Sequence, residues 1–435
     1  MSGPGPAPGL ARDLDALLRR CVQCGLCLPH CATWLATGNE VQSPRGRLVL
    51  LGETLAGGPV DRSYLDAFDL CIGCRACETA CPSGVPYSLL AQGHALADAG
   101  LPATASGLPG PVLRRLDRPG FLALLRPLTA AGRRAAALLL GRSWRRRLGR
   151  WPLARLLGTV PWAPREDADL VRLLDRLAGA PAPWRRPAMA AGAVPGGPVA
   201  FFRGCANAGL LPDTSRRLRD LCGAAGFAVC VPVGQDCCGA LAAHSGRPGR
   251  AATLGRRNRV AFAGVPAGVP ILAEAAGCSL ELAHLDQAWS DRVVDPTQLL
   301  AEAPLPPLAR LPLRVAVHDP CHARHGRGIV AEPRALLRRI PGLKVLEPAE
   351  PEVCCGSGGA WGLRHRDLAE DLGRRKARLL ADTGADLVVT TNPGCLGQIA
   401  DGLALEAPDL PILPLTDLVW YAAARAAGGG VRDPG

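Results

Sequence analysis

Eight cysteines of this 435-residue chain fall into two short runs. Cys21, Cys24, Cys27 and Cys31 have the spacing C-x2-C-x2-C-x3-C, and Cys71, Cys74, Cys77 and Cys81 repeat it, followed by Pro82. Thiolates doubled at that spacing are the ligand set for two [4Fe–4S] cubanes, in which the fourth cysteine of each run serves the other cluster. The pattern therefore assigns Cys21, Cys24, Cys27 and Cys81 to one cubane, and Cys71, Cys74, Cys77 and Cys31 to the other. A zinc site calls for four ligands in tetrahedral array, usually two cysteine pairs far apart in sequence, and these compact runs do not have that form. A disulfide framework does not suit a long chain that shows no secretory signal. Ala32, not proline, follows Cys31, and Cys31 and Cys71 lie forty positions apart, a gap that helices must fill.

A second set of cysteines repeats at long range. Cys205, the doublet Cys237-Cys238 before Gly239, and Cys278 are matched by Cys321, the doublet Cys354-Cys355 before Gly356, and Cys395. The offset is 116 residues for the first pair and 117 for the other three, which implies an internal duplication. Adjacent cysteines strain to bind one ion but suit a centre in which each thiolate meets a different metal atom. These eight are accordingly read as further metal-binding or redox residues. Cys222 and Cys230 have no counterparts and are read as buried small hydrophobes. His318, His322 and His325 occur near Cys321 in the second repeat alone and are read as ordinary polar residues.

The elements that must carry these residues follow from pattern. Val199–Phe202 and Val315–Val317 are short apolar runs ending just before a cysteine, as buried strands do. Ile271-Leu272 after Pro270, and Leu387–Val389, are a second such pair, the latter leading into a turn at Asn392–Cys395. Ala- and Arg-rich helical stretches follow each doublet, for example Leu368 to Leu380. Strands alternating with helices make α/β units, whose ligand groups emerge at strand ends.

Composition narrows the class. The net charge of +12 suggests nucleic acid until it is located: residues 1–100 carry −2, residues 101–198 carry +12 and the remainder +2. All but two of the 50 basic residues are arginine, and only 17 residues are aromatic, leaving little on which bases could stack. Nucleic acid is not expected as a partner. No stretch has the length and apolarity of a membrane span, and the N-terminus lacks a basic-then-apolar signal, so the chain reads as cytoplasmic or peripheral on the inner face of the plasma membrane. The basic segment holds Trp144, Trp151, Trp162 and Trp184 among its arginines. Three roles fit it: a solvated face with tryptophans packed on a neighbouring domain, a dock for an acidic partner, or an interfacial helix on anionic lipid. No convincing dinucleotide fingerprint or phosphate-binding loop is present.

The stretches CVQCGLCLPHC, SPRGR at Ser43–Arg47, CIGCRACETACPSGVPY, HDPCH, CCGSGG and NPGCLGQI together resemble the iron–sulfur subunit of bacterial glycolate oxidase. That subunit belongs to a wider group in which a two-cluster ferredoxin domain is fused to two cysteine-rich CCG domains. The group includes lactate-utilisation, glycerol-3-phosphate and heterodisulfide oxidoreductase subunits, which supply the alternative reading of function. Its fuller CCG pattern ends in C-x-x-C, whereas here Ser279-Leu280-Glu281 follows Cys278 and Leu396-Gly397-Gln398 follows Cys395, leaving four thiols per repeat. Glycolate-oxidase-like members share this feature.

The resemblance implies a multidomain α+β and α/β protein. An α-helical two-[4Fe–4S] ferredoxin-type domain would span residues 1–100, an Arg/Trp-rich helical connector and linker 101–198, and two duplicated α/β CCG domains 199–311 and 312–435. It also implies electron transfer from a partner FAD-binding flavoprotein to a quinone or other acceptor during oxidation of glycolate to glyoxylate. The substrate chemistry would lie on the flavoprotein, so no catalytic residue is assigned here.

Overall fold

The computed structural model describes residues 14–86, 89–91, 93, 167–179, 183–188, 196–244 and 247–429. Most of the basic segment, with Trp144, Trp151 and Trp162, lies outside the described residues.

Helices fill the gap between the two N-terminal cysteine runs, and residues 14–86 contain no strand. The SPRGR stretch explains how the first long helix, Pro44–Leu55, begins. Ser43 caps it by accepting from the Gly46 amide at 3.0 Å, and Pro44 occupies a first-turn position where no amide hydrogen is needed. A Cβ on Gly46 would lie 2.1 Å from the Glu40 carbonyl oxygen, so only glycine lets the preceding turn pack this close. The following helix, Arg62–Asp69, is capped by Asp61 and buries Tyr64 and Phe68 against Leu48, Leu51 and Leu89.

After residue 196 the chain builds two parallel four-stranded sheets of identical topology. The first comprises β1 (Pro198–Phe202), β2 (Ala228–Cys230), β3 (Ile271–Ala273) and β4 (Val293–Val294), in the order β2-β1-β3-β4. The second comprises β5 (Arg314–His318), β6 (Lys344–Leu346), β7 (Leu387–Thr390) and β8 (Ile412–Pro414), in the order β6-β5-β7-β8. Successive side chains of a strand face opposite ways, and here both faces are covered. Val199, Phe201 and Leu272 share one core with Val315, Val317, Leu387, Val389 and Leu413. The opposite faces, Ala200, Phe202 and Ile271 in one sheet and Ala316, Val388 and Ile412 in the other, enter separate clusters. The duplication is thus two like units joined through one apolar face each.

That shared core encloses an ionic lock. Arg217, on the helix Pro212–Ala224, is fully buried and donates to Asp417 at 2.8 Å and to Asp167 at 2.9 Å. Asp417 belongs to the C-terminal helix Leu415–Gly429, so the lock ties the first repeat to the last element of the second. Trp184, the one tryptophan of the basic segment within the described residues, packs on Trp420 with ring centroids 6.0 Å apart.

Some local expectations need correction. Cys222 is buried in the shared core, but Cys230 is exposed at the end of β2, where it shares the outward side of this edge strand with exposed Ala228 while Val229 packs on the core. The stretch Asn392–Cys395 is less a turn than the start of a helix, Pro393–Glu406, with Pro393 in its first turn. Among the described residues no helix is long and apolar enough to cross a membrane.

Candidate metal centres

The two N-terminal cysteine loops share an unusual backbone. Gln23 and Gly25 flank Cys24 with φ of 56° and 81°, and Gly73 and Arg75 flank Cys74 with φ of 75° and 64°. Left-handed residues on either side of the middle cysteine curl each loop sharply, so its three thiols turn inward together. For Gln23 and Arg75 that conformation costs about 1–2 kcal/mol each. Ion pairs brace the curl: Arg45 donates to the Gln23 carbonyl at 3.0 Å and to Glu40 at 2.5 Å, and Arg75 pairs with Glu78 at 2.8 Å.

Two neighbouring cavities result. Cys21, Cys24, Cys27 and Cys81 line one, with Cys77, Pro82 and Val85 at its wall. Cys31, Cys71, Cys74 and Cys77 line the other, with Ile72 and Arg47. Each cavity thus holds three thiols from one run and the fourth cysteine of the other, and Cys77 borders both. Cys24 is exposed, whereas Cys31 is buried, so the first cavity opens toward solvent and the second lies deeper.

The surroundings of these thiols favour bound cationic metal. Burial pushes the Cys27 thiol up to about 11, and burial together with repulsion from Cys71 and Cys31 raises Cys77 further. Thiolates packed this closely are held ionised by metal coordination, which releases their protons. Arg47 supplies one fixed positive charge. Its buried guanidinium donates to the Ala67 carbonyl at 2.7 Å and to Thr33 at 3.1 Å, and lies 4.0 Å from the Cys31 sulfur. Cys31 also meets the Thr33 hydroxyl at 3.2 Å, and Cys81 accepts from the Val85 amide at 3.5 Å. The soft donor set and hydrogen bonds to sulfur fit iron–sulfur clusters.

The repeated cysteines also converge, each set at the carboxyl ends of its strands, where parallel sheets place ligands. Cys205 follows β1 and its sulfur lies 3.4 Å from that of Cys237. A Cβ on Gly204 would approach the Cys278 sulfur at 3.3 Å, which puts Cys278 beside the same loop. Hydrogen bonds from Cys205 and Cys238 hold the Cys237 thiol below its ordinary value, while hydrogen bonding to Cys237, together with burial, raises Cys205. In the second repeat Cys354 lies 4.0 Å from Cys321. Cys355 and Cys395 sit with His318 in a group whose ligand atoms are all within 4.8 Å of one another. Asn392 donates to the Cys395 sulfur at 3.5 Å, and the Gly356 amide to that of Cys354 at 3.4 Å.

The second thiol cavity abuts the second repeat. Cys74 and Cys321 pack against a cluster containing Ile72, Cys354 and Trp361. Trp361 donates to the Leu70 carbonyl at 3.1 Å, just before Cys71, and His365 pairs with Asp69 at 3.0 Å. His325 bonds Thr79 at 2.6 Å and the Glu352 carbonyl at 2.8 Å, and His322 reaches the Gly73 carbonyl at 3.4 Å. Sequence spacing had left His322 and His325 as ordinary polar residues. They seat one cysteine loop on the second repeat, a role visible only in three dimensions.

Comparison with known proteins is consistent with this geometry. Residues 17–85 match the family described as a 4Fe-4S dicluster domain, and residues 199–283 and 315–400 each match the cysteine-rich domain family. The probable glycolate oxidase iron-sulfur subunit of Bacillus subtilis is 30% identical over 93% of this chain and 94% of that protein. The glycolate oxidase iron-sulfur subunit of Escherichia coli is 29% identical over 90% of this chain and 91% of its own length. Lactate utilization protein A of Oceanobacillus iheyensis is 24% identical over 51% of this chain and 96% of that protein.

Proposed function

The chain belongs to the family of glycolate oxidase iron–sulfur subunits, and from that membership we propose that it is the electron-transfer subunit of a flavin-dependent glycolate oxidase or dehydrogenase complex. Its partner is an FAD-binding flavoprotein that oxidises glycolate to glyoxylate, and its own acceptor is a quinone or an equivalent carrier. The domains are taken as 1–100, 101–198, 199–311 and 312–435.

The observation that carries this reading is the alignment of three thiol groups. The solvent-facing cavity, the deeper cavity and the buried cysteines of the second repeat adjoin one another through Cys77 and then Cys74. Cys21, Cys24, Cys27 and Cys81 would hold one cluster, and Cys31, Cys71, Cys74 and Cys77 the other. Bound there, a [4Fe–4S] cubane takes up and releases one electron at a time with little rearrangement. The residues of this chain set the terms of that exchange. Arg47 and Thr33 favour added negative charge beside Cys31, while the exposed edge at Cys24 gives a partner close approach. Trp361, His322 and His325 fix the distance between the deeper loop and the second repeat.

Anaerobic co-expression with candidate flavoproteins tests the proposal. The chain should purify brown, with about eight iron atoms and in a complex containing FAD. A chain that carries zinc in place of iron in its N-terminal cavities, or that never associates with a flavoprotein, would contradict it.

A further inference from the structure

The second repeat carries a site that the first lacks. His318 ends β5 and is 2% exposed, and its Nε2 has no hydrogen-bond partner. Leaving such an atom buried and unmatched costs about 1–3 kcal/mol, so a partner is expected at that position. Beside it are the sulfurs of Cys355 and Cys395, which are 1% and 4% exposed; these two sulfurs and a ring nitrogen of His318 all lie within 4.8 Å of one another.

We propose that the second repeat binds a single zinc ion through His318 Nε2, Cys355 Sγ and Cys395 Sγ. A mixed nitrogen and sulfur set of this kind suits zinc, with its fourth corner left to water. The doublet does not obstruct the geometry: its two thiols touch each other, but only Cys355 groups with Cys395 and His318, so the ion takes one cysteine of the pair. Cys354 lies toward Cys321, 4.0 Å away and beside Cys74, and Cys355 lies toward Cys395 and His318. The strain of placing adjacent cysteines on one ion therefore does not arise.

The duplication supplies an internal control. Phe202 ends β1 as His318 ends β5, and it packs against Phe262 with ring centroids 6.2 Å apart. The first repeat thus has an apolar ring where the second has a nitrogen donor, so two repeats of equal topology differ in what they bind. In the second repeat the ion would tie together the loops that follow β6, β5 and β7, which are adjacent in the sheet.

The test uses the full chain with its iron–sulfur centres in place. After anaerobic dialysis against zinc, metal analysis should give about one tightly held zinc per chain beyond the iron. X-ray absorption at the zinc edge should show one imidazole nitrogen at about 2.0 Å and sulfur at about 2.3 Å. His318→Phe, which installs the residue of the first repeat, should lose that zinc at least tenfold while iron content and cubane resonance signals stay unchanged. Zinc retained unaltered by His318→Phe would overturn the proposal. So would an all-sulfur zinc shell in the parent protein, a measurement that needs no variant. Iron bound by Cys355 and Cys395 to the exclusion of zinc would overturn it as well.

Discussion

Replacing Arg217 with methionine isolates the energetics that join the two repeats. Arg217 and Asp417 are both fully buried, and the Asp417 oxygen that meets Arg217 also accepts from Thr214 at 3.0 Å. The other Asp417 oxygen has no partner. Asp167 is better provided for, because Arg216 and Arg186 also pair with it. The loss therefore falls on Asp417, whose carboxyl is already held above its ordinary value by burial despite Arg217.

Without Arg217 the cheapest response is for Asp417 to take a proton. From an unfolded value of about 3.9, that costs about 4 kcal/mol at pH 7 and about 1.5 kcal/mol at pH 5, upper bounds on the change because burial already raises Asp417 in the parent protein. The first figure agrees with the 3–5 kcal/mol typical of a broken buried pair. The sign follows from the raised folded value: the penalty is absent below pH 4 and grows as pH rises. Amide exchange in the helix Leu415–Gly429, read by mass spectrometry, reports the local opening. At pH 7 exchange should accelerate by up to about a thousandfold, and at pH 5 by up to about tenfold, after correction for intrinsic rates. Adding Asp417→Asn should restore most of the protection. A change below tenfold at pH 7, or one independent of pH, would show that Arg217 does not hold Asp417 ionised in the core.

Three further outcomes are expected. Burial raises Glu274 to about 7 despite hydrogen bonds from Ser215, at 2.6 Å, and from Asn207. Its contribution is complete below about pH 4 and is lost as pH climbs through 7, so Glu274→Gln should stabilise the protein by about 3 kcal/mol at pH 8 and by almost nothing at pH 4.5; an unchanged pH profile of denaturant midpoints would refute this. Arg47→Met removes a charge 4.0 Å from the Cys31 sulfur and should lower the potential of the deeper cluster by an amount on the order of 100 mV, with the outer one almost unmoved in a redox titration. Cys31→Ser should alter the resonance signal of the centre held by Cys71, Cys74 and Cys77 and spare that of Cys21, Cys24 and Cys27; the reverse pattern would remove the crossed assignment.

Much of the site was legible because ligand spacing is local. Three cysteines within seven residues can converge only by a tight curl, and the structure supplies it with left-handed residues around Cys24 and Cys74. The duplication was legible from the offsets, and the inner strands from their apolar runs. Strand β2, with only Ala228–Cys230 and an exposed face, gave no such signal, nor did β6 at Lys344–Leu346. Non-local residues were hidden for a different reason. His318, His322 and His325 lie close together in sequence, yet one faces thiols and two face the N-terminal loops. Nothing in their spacing distinguishes them, because their partners come from residues up to 249 positions away.

On the proposed function, electrons from glycolate pass through this chain without any glycolate chemistry on it. Anaerobic addition of glycolate to the purified complex, followed by visible absorption and low-temperature electron paramagnetic resonance, tests it directly. Flavin and cluster bands should bleach together and reduced-cluster signals should appear, whereas the isolated chain should not respond to glycolate. A complex in which the flavin is reduced and the clusters stay oxidised, or an isolated chain that itself oxidises glycolate, would contradict the account.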